Sequence, residues 1–167
     1  HDRKTLKTVN SNYAFAISWR WLIDSSTTTL IVFHDSLLPK YRGFSPLISA
    51  LTNGDKKIGV TALFATEKYD CGDIIAQSSS PVNYPIKIQR AIELLVKNYT
   101  DLAIEITQKI VKETALHGVK QDETKASYSL WRDEKDYYID WEQDAERIKR
   151  FTDAVSYPYK GSLTIIE

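Results

Sequence analysis

The sequence predicts an α/β fold, in which a mostly parallel sheet is flanked by helices. Two observations lead to this prediction: short apolar and β-branched runs have the length of buried strands, and a long amphipathic helix follows them. The runs lie at residues 13–18, 30–33, 58–66 and 74–78. Continuous apolar runs of this length are typical of strands covered on both faces, as in parallel sheets.

The long helix is the clearest predicted element and begins after Pro85. Its apolar side chains recur every three or four residues: Ile88, Ile92, Leu95, Tyr99, Leu102, Ile106 and Ile110. Charged and amide side chains fill the other face, which indicates a surface helix packed on the sheet. A shorter helix is expected at 47–51, with Pro46 in its first turn, and an amphipathic one at 145–155.

Composition and charge argue against several classes of protein. The 22 basic and 22 acidic residues cancel, so no overall field attracts nucleic acid or an anionic membrane. The single cysteine, Cys71, argues against a disulfide scaffold and indicates a reducing compartment, for which we expect the cytoplasm. No apolar run approaches the roughly 20 residues of a membrane span, and the three histidines show no metal-ligand spacing.

The most informative segment follows the second predicted strand. Residues 34–43 have the sequence His-Asp-Ser-Leu-Leu-Pro-Lys-Tyr-Arg-Gly, so His34 stands at the carboxyl end of a strand, where open α/β sheets place ligands. A second motif, Asp-Cys-Gly-Asp-Ile-Ile-Ala-Gln, follows at residues 70–77. Taken alone, the two motifs also fit a structural histidine and an aspartate, Asp70, that only closes a turn.

In this order and spacing, the two motifs resemble those of the formyltransferases that use 10-formyltetrahydrofolate. The family signature is Asn-x-His-x-Ser-Leu-Leu-Pro-x-Tyr-Arg-Gly, followed by Asp-x-Gly-x-Ile, and a later Pro-Tyr-x-Gly turn matches residues 158–161. The resemblance implies a formyltransferase-like, Rossmann-like catalytic domain over residues 1–120, with its N-terminal strands missing. Residues 121–167 would be a connector, polar at 121–125, and the start of a C-terminal domain.

The resemblance implies that His34 takes the proton of the attacking amine and that Asp70 orients its ring. One residue departs from the pattern, because Val32 stands where the family has the Asn that donates a hydrogen bond to the oxyanion. Loss of one such donor typically costs about 10²–10³ in rate. Three interpretations stay open: another donor (the imidazolium of His34 or an N–H near Ser36), a slow or repurposed member, or a shifted register.

The resemblance also implies that six residues after His34 shape the folate and substrate site: Ser36, Leu37, Pro39, Tyr41, Arg42 and Gly43. A guanidinium fork suits a substrate phosphate, so Arg42 is a candidate phosphate ligand. The alternative for Arg42 is an internal ion pair that holds the loop.

Trp19 and Arg20 resemble the sugar-nucleotide branch of the family more than the methionyl-tRNA branch. An indole can stack on a pterin or a nucleobase, and Arg20 can meet a diphosphate or the folate tail. The alternative is that at least one of Trp19 and Trp21 is a core residue.

The resemblance therefore implies an enzyme that transfers a formyl group from 10-formyltetrahydrofolate to the amine of a nucleotide-linked amino sugar. Two alternatives are formyl transfer to methionyl-tRNA and a non-catalytic folate- or nucleotide-binding relative that lost turnover with its Asn. The scattered basic residues argue against a nucleic-acid partner. Neither a metal nor a membrane is expected, and a homodimer is left open.

Overall fold

A computed structural model describes residues 11–19, 23, 28–112 and 115–166. Its strands and helices, in chain order, are β1 (Tyr13–Ile17), β2 (Thr29–His34), β3 (Arg42–Gly43), α1 (Pro46–Thr52), β4 (Lys57–Phe64), β5 (Ile74–Pro81), α2 (Ile88–Lys112), β6 (Tyr128–Ser129) and α3 (Ala145–Ala154). The four predicted strands and three predicted helices are all present, with ends shifted by at most three residues.

The main sheet has the strand order β1-β2-β4-β5 and is flanked by helices, so the predicted α/β class is confirmed. The expected parallel pairing is wrong for most of the described strands. Only β1 and β2 run parallel, whereas β4 is antiparallel to both β2 and β5. Between β4 and β5 the chain has only residues 65–73, fewer than the dozen or more that a parallel crossover needs.

The core lies between the sheet and α2. The predicted apolar stripe of that helix is confirmed, since four of its residues are buried and three more pack against the same cluster. The buried four are Ile88, Leu95, Leu102 and Ile106. On the sheet side they meet alternate residues of β2 and β4, among them Ile31, Phe33 and Val60. Each fully buried aliphatic side chain contributes about 1.5–3 kcal/mol.

The alternation along β2 determines where the polar site lies. Phe33 points into the core beneath α2 and stacks on Tyr99, so the next residue, His34, points to the opposite face. Two short strands form a second ladder on that side, where β3 pairs in parallel with β6. This ladder crosses the expected domain division at residue 120, which itself stays a prediction.

Among the described residues, no helix combines the length and apolar composition that a membrane crossing needs. Near the end of the chain, Leu163 forms an isolated parallel bridge with Tyr138.

Two isoleucines on α2 test the core directly. Ile106 is 0% exposed and Ile104 is 53% exposed, so the same truncation to alanine removes packing at one position only. We expect Ile106→Ala to lower the free energy of unfolding by about 2–5 kcal/mol. Ile104→Ala should lower it by less than about 1 kcal/mol. Urea denaturation of both variants measures the difference, and equal losses would contradict the packing described for α2.

Candidate active site

His34 ends β2 with its ring held between two acceptors. Its Nε2 lies 2.8 Å from the backbone oxygen of Tyr41, and its Nδ1 lies 3.5 Å from Oδ1 of Asp70. Because a carbonyl can only accept, Nε2 carries a proton, and Nδ1 of the neutral ring has the lone pair; Nδ1 donates to Asp70 only once it has gained a proton. The structure thus brings together the two residues that the motifs single out, and it buries both the ring and the carboxylate.

Asp70 lies in the turn between β4 and β5. Its φ of 57° is in the left-handed region, which costs an L-residue roughly 1–2 kcal/mol. Its Oδ2 accepts a hydrogen bond from the N–H of Gly43 at 2.8 Å. Gly43 has a φ of 96°, and a Cβ there would lie 2.7 Å from the carbonyl oxygen of Ser129. Glycine is therefore required for this close approach.

Arg42 is buried, with 1% of its surface exposed, and all five of its N–H groups have partners. Its Nε and Nη2 donate to Oε1 of Gln121 at 3.2 and 2.7 Å. Nη1 and Nη2 donate to the two carboxylate oxygens of Glu123, each at 2.8 Å, and Nη1 also reaches Tyr128. These hydrogen bonds raise the pKa of Arg42 and lower that of Glu123. The arrangement matches the internal ion pair and leaves no N–H for a phosphate.

Gln121 is a residue of the site that the sequence does not reveal. It is 5% exposed, although its segment is expected to be a polar linker. Its Nε2 donates to the backbone oxygens of Asp70 and Gly72, both at 2.8 Å. The contacts join residues about 50 positions apart, and no spacing or periodicity in the sequence indicates them.

The loop after His34 is fixed by one hydroxyl. Thr61 Oγ1 donates to the backbone oxygen of Ser36 at 2.6 Å and accepts from the N–H of Leu38 and from Gln77 Nε2. The hydroxyl of Ser36 donates to the backbone oxygen of Lys40 at 2.6 Å. Ser36 therefore supports the loop through its backbone and its side chain alike.

The same loop borders a pocket of about 570 Å³. Leu37, Pro39 and Tyr41 supply part of its wall. Leu37 packs against Gly59, and a Cβ added at residue 59 would lie 2.5 Å from the Leu37 side chain. Four lysines and two aspartates are also among its lining residues: Lys40, Lys56, Lys57, Lys125, Asp35 and Asp55. The peptide bond before Pro39 is cis. Neither His34 nor Asp70 is among the residues that line this pocket.

The structure places the other predicted site residues in different surroundings. Trp19 follows β1 and is 52% exposed, so it is not a core residue, whereas Arg20 and Trp21 lie outside the described residues. Val32 points to the same side of β2 as His34. The N–H of Ser36 donates to the backbone oxygen of His34 at 2.8 Å, so this N–H already has a partner.

Aromatic rings that the sequence does not single out lie beside Asp70. Phe44 contacts Trp131 edge to face, with centroids 4.7 Å apart, and lies 6.2 Å from the ring of Tyr69. Both outer rings are about half exposed. Within the described ranges, no group of three His, Cys, Asp or Glu side chains is arranged to hold a metal ion.

The fold and the site together define an α/β protein with a histidine–carboxylate pair beyond the end of a strand. Residues 13–102 match the family model described as formyl transferase, and the chain belongs to this family.

Relatives of this chain include formyltransferases with different acceptors. The methionyl-tRNA formyltransferase of Lysinibacillus sphaericus is 36% identical over 74% of this chain, and the match covers 39% of that protein. The chain thus spans about two fifths of the length of this curated relative. Two solved structures share the fold. A 4-N formyltransferase from Francisella tularensis has a TM-score of 0.78 and 23% identity over 93% of this chain and 66% of its own. WlaRD, a sugar 3N-formyl transferase solved with dTDP and 5-N-formyl-THF, has a TM-score of 0.76 and 21% identity over 96% and 61%.

The role of Thr61 can be tested with an isosteric change. Thr61→Val leaves the backbone oxygen of Ser36 and the N–H of Leu38 without a partner, so we expect a loss of about 2–4 kcal/mol in the free energy of unfolding. Thr107→Val makes the same change on the exposed face of α2 and should cost less than about 1 kcal/mol. Urea denaturation measures both losses. A Thr61→Val protein as stable as the wild type would show that the hydroxyl does not hold the loop.

The ion pair of Arg42 predicts a pH dependence. The pKa of Glu123 is lowered, chiefly by its hydrogen bonds from Arg42, so its contribution to stability is present above its ordinary pKa of about 4.3. That contribution is lost as the pH falls through the lowered value. We expect Glu123→Gln to be less stable than the wild type between pH 5 and 8.

The difference between the two proteins should shrink as the pH falls below about 4, where the wild-type carboxylate is also neutral. Denaturation at several pH values measures it. The control is Glu67→Gln, because Glu67 is exposed and lies in the same loop between β4 and β5 as Asp70. A difference independent of pH would mean that the charge of Glu123 contributes nothing.

Proposed function

We propose that this chain carries the catalytic site of an enzyme that moves a formyl group from 10-formyltetrahydrofolate to the amine of a nucleotide-linked amino sugar. The observation that carries the proposal is the contact between Nδ1 of His34 and Asp70, with the opposite ring nitrogen fixed by the carbonyl of Tyr41. Membership of the formyl transferase family supports the same chemistry. The formyl donor is a substrate, and a folate bound in the structure of WlaRD supports its choice.

The proton of the attacking amine is the first requirement of this reaction. The bond from Nε2 to Tyr41 holds the tautomer in which Nδ1 of His34 has a free lone pair, so Nδ1 accepts the proton as the amine nitrogen attacks the formyl carbon. A carboxylate beside the ring stabilises the imidazolium that forms. The separation of 3.5 Å from Asp70 is long for a hydrogen bond, and such contacts commonly shorten when substrates bind.

The oxyanion is the second requirement. When the formyl carbon becomes tetrahedral, its oxygen gains negative charge, and Val32 has no donor to offer. The proton that Nδ1 of His34 has taken up is the donor proposed here, shared between Asp70 and the oxyanion. As the bond between the formyl carbon and N10 breaks, the same proton passes to N10, and tetrahydrofolate leaves. One donor fewer predicts slower turnover than in relatives that have asparagine at this position.

The net charge of the chain and the exposed ring of Trp19 favour a nucleotide-linked amino sugar as the acceptor of the formyl group. An exposed indole beside the end of β1 is suited to stacking on a planar ring, and the net charge of zero does not favour a polyanion. A sugar 3N-formyl transferase and a 4-N formyltransferase share the fold. One observation favours the second candidate, methionyl-tRNA: the curated relatives with that function are 34–37% identical to this chain.

Turnover by the full-length protein tests the proposal. We expect tetrahydrofolate release from 10-formyltetrahydrofolate in the presence of one member of a panel of nucleotide-linked amino sugars. Release should fall by at least about 10²-fold in His34→Ala. His117→Ala, at an exposed histidine, should leave the rate unchanged. Release with methionyl-tRNA alone would select the second candidate.

The missing oxyanion donor has its own test. We expect Val32→Asn to raise kcat by about 10-fold or more, because it restores a donor whose loss typically costs 10²–10³. Folate binding by the wild type without release, together with release by Val32→Asn, would identify a binding protein that has lost turnover. A variant no faster than an active wild type would mean that another group already fills the role.

A further inference from the structure

The left-handed backbone of Asp70 needs support from outside its own turn. The residue lies in a turn, its φ is 57°, and its carboxylate must keep one oxygen towards His34 and the other towards the N–H of Gly43. Rotation of the turn by a few degrees would move both oxygens, because the side chain has only two rotatable bonds. The position of the carboxylate therefore depends on what holds the backbone at residues 70–72.

The side chain of Gln121 holds this backbone. One amide nitrogen donates to two carbonyl oxygens, those of Asp70 and Gly72, at 2.8 Å each. An amide NH₂ has two hydrogens, so both bonds form at once. The two carbonyls on either side of Cys71 are thereby tied to one buried group.

The chemistry of the partners fixes the orientation of the amide. Oε1 of Gln121 faces Nε and Nη2 of Arg42, which can only donate, while Nε2 faces carbonyls, which can only accept. The opposite orientation would bring acceptor against acceptor and donor against donor. A glutamine is thus required to join a buried guanidinium to a pair of carbonyls.

Gln121 also acts on the other contact of Asp70. Arg42 directly precedes Gly43, whose N–H binds Oδ2 of Asp70. By holding the guanidinium on one side and the carbonyls on the other, Gln121 links the donor at Gly43 and the backbone of Asp70 through a single side chain.

We propose that Gln121 is a positioning residue for formyl transfer, which keeps the carboxylate of Asp70 against Nδ1 of His34. The inference rests on the proposed function for its kinetic consequence, but its structural consequence is independent of it. Gln121 touches neither His34 nor the carboxylate of Asp70 in the hydrogen bonds described, so it acts through the backbone alone.

A positioning role predicts a particular kinetic change. Misplacing a catalytic group by about 1 Å can cost on the order of 10² in rate. We therefore expect Gln121→Met and Gln121→Asn to lower kcat by about 10- to 100-fold. The KM values for 10-formyltetrahydrofolate and for the amine accepted by the wild type should stay within about threefold.

The two variants remove the contact in different ways. Methionine keeps the length of the side chain without its amide, and asparagine keeps the amide but is one methylene too short to bridge. Gln108→Met, at an exposed position of α2, is the matched control and should change nothing. If Gln121→Met fails to fold, Gln121→Asn still decides the matter, because it leaves a polar group beside Arg42.

A spectroscopic measurement separates this proposal from the proposed function. In full-length protein labelled with ¹⁵N-histidine, the ring signals of His34 are those lost in His34→Ala. At fixed pH, we expect the Nδ1 signal to move in both Gln121 variants and not in Gln108→Met. Unchanged ring signals in folded variants, or a loss of kcat explained by unfolding, would overturn the positioning role. Moved signals in a protein that transfers no formyl group would sustain it while removing the proposed function.

Discussion

The burial of the Arg42 guanidinium is the constraint on which the polar side of the sheet depends. A charge taken out of water is costly unless every donor finds a partner, and the five N–H groups of Arg42 find theirs on Gln121, Glu123 and Tyr128. These partners come from a segment beyond α2. The need to satisfy one cation thus fixes how the loop after β2 and the chain after α2 meet.

The hydrogen bonds around His34 stabilise their face of the sheet in a different way from the apolar core on the other face. Beneath α2, apolar side chains interlock and tolerate changes of similar volume. Around His34, stability depends on donors and acceptors that are matched to each other, as at Thr61, and an unmatched group costs the whole desolvation penalty. The sheet supplies the strand ends between which these hydrogen bonds form.

The sequence predicts the elements well where a period exists. The stripe from Ile88 to Ile110 identifies α2, and the apolar runs identify β1, β2, β4 and β5. Strand direction could not be predicted, because an apolar run has the same pattern in either direction. The contact of His34 with Asp70 is what the resemblance of two motifs to a known family implies, while the partners of Arg42 are not implied by any motif. Hydrogen bonds between residues far apart in the chain leave no periodic signal.

Because Asp70 and Gln121 lie about 50 residues apart in the chain, a fragment can contain one without the other. The match to the family model ends at residue 102, so a fragment cut at that boundary would keep the histidine and the carboxylate and lose the amide that joins the carbonyls to Arg42. The guanidinium would then be buried without its partners or turned out to water. Any exchange of modules between relatives would therefore have to carry residues 121–129 together with the catalytic half, since the two parts share a single buried charge.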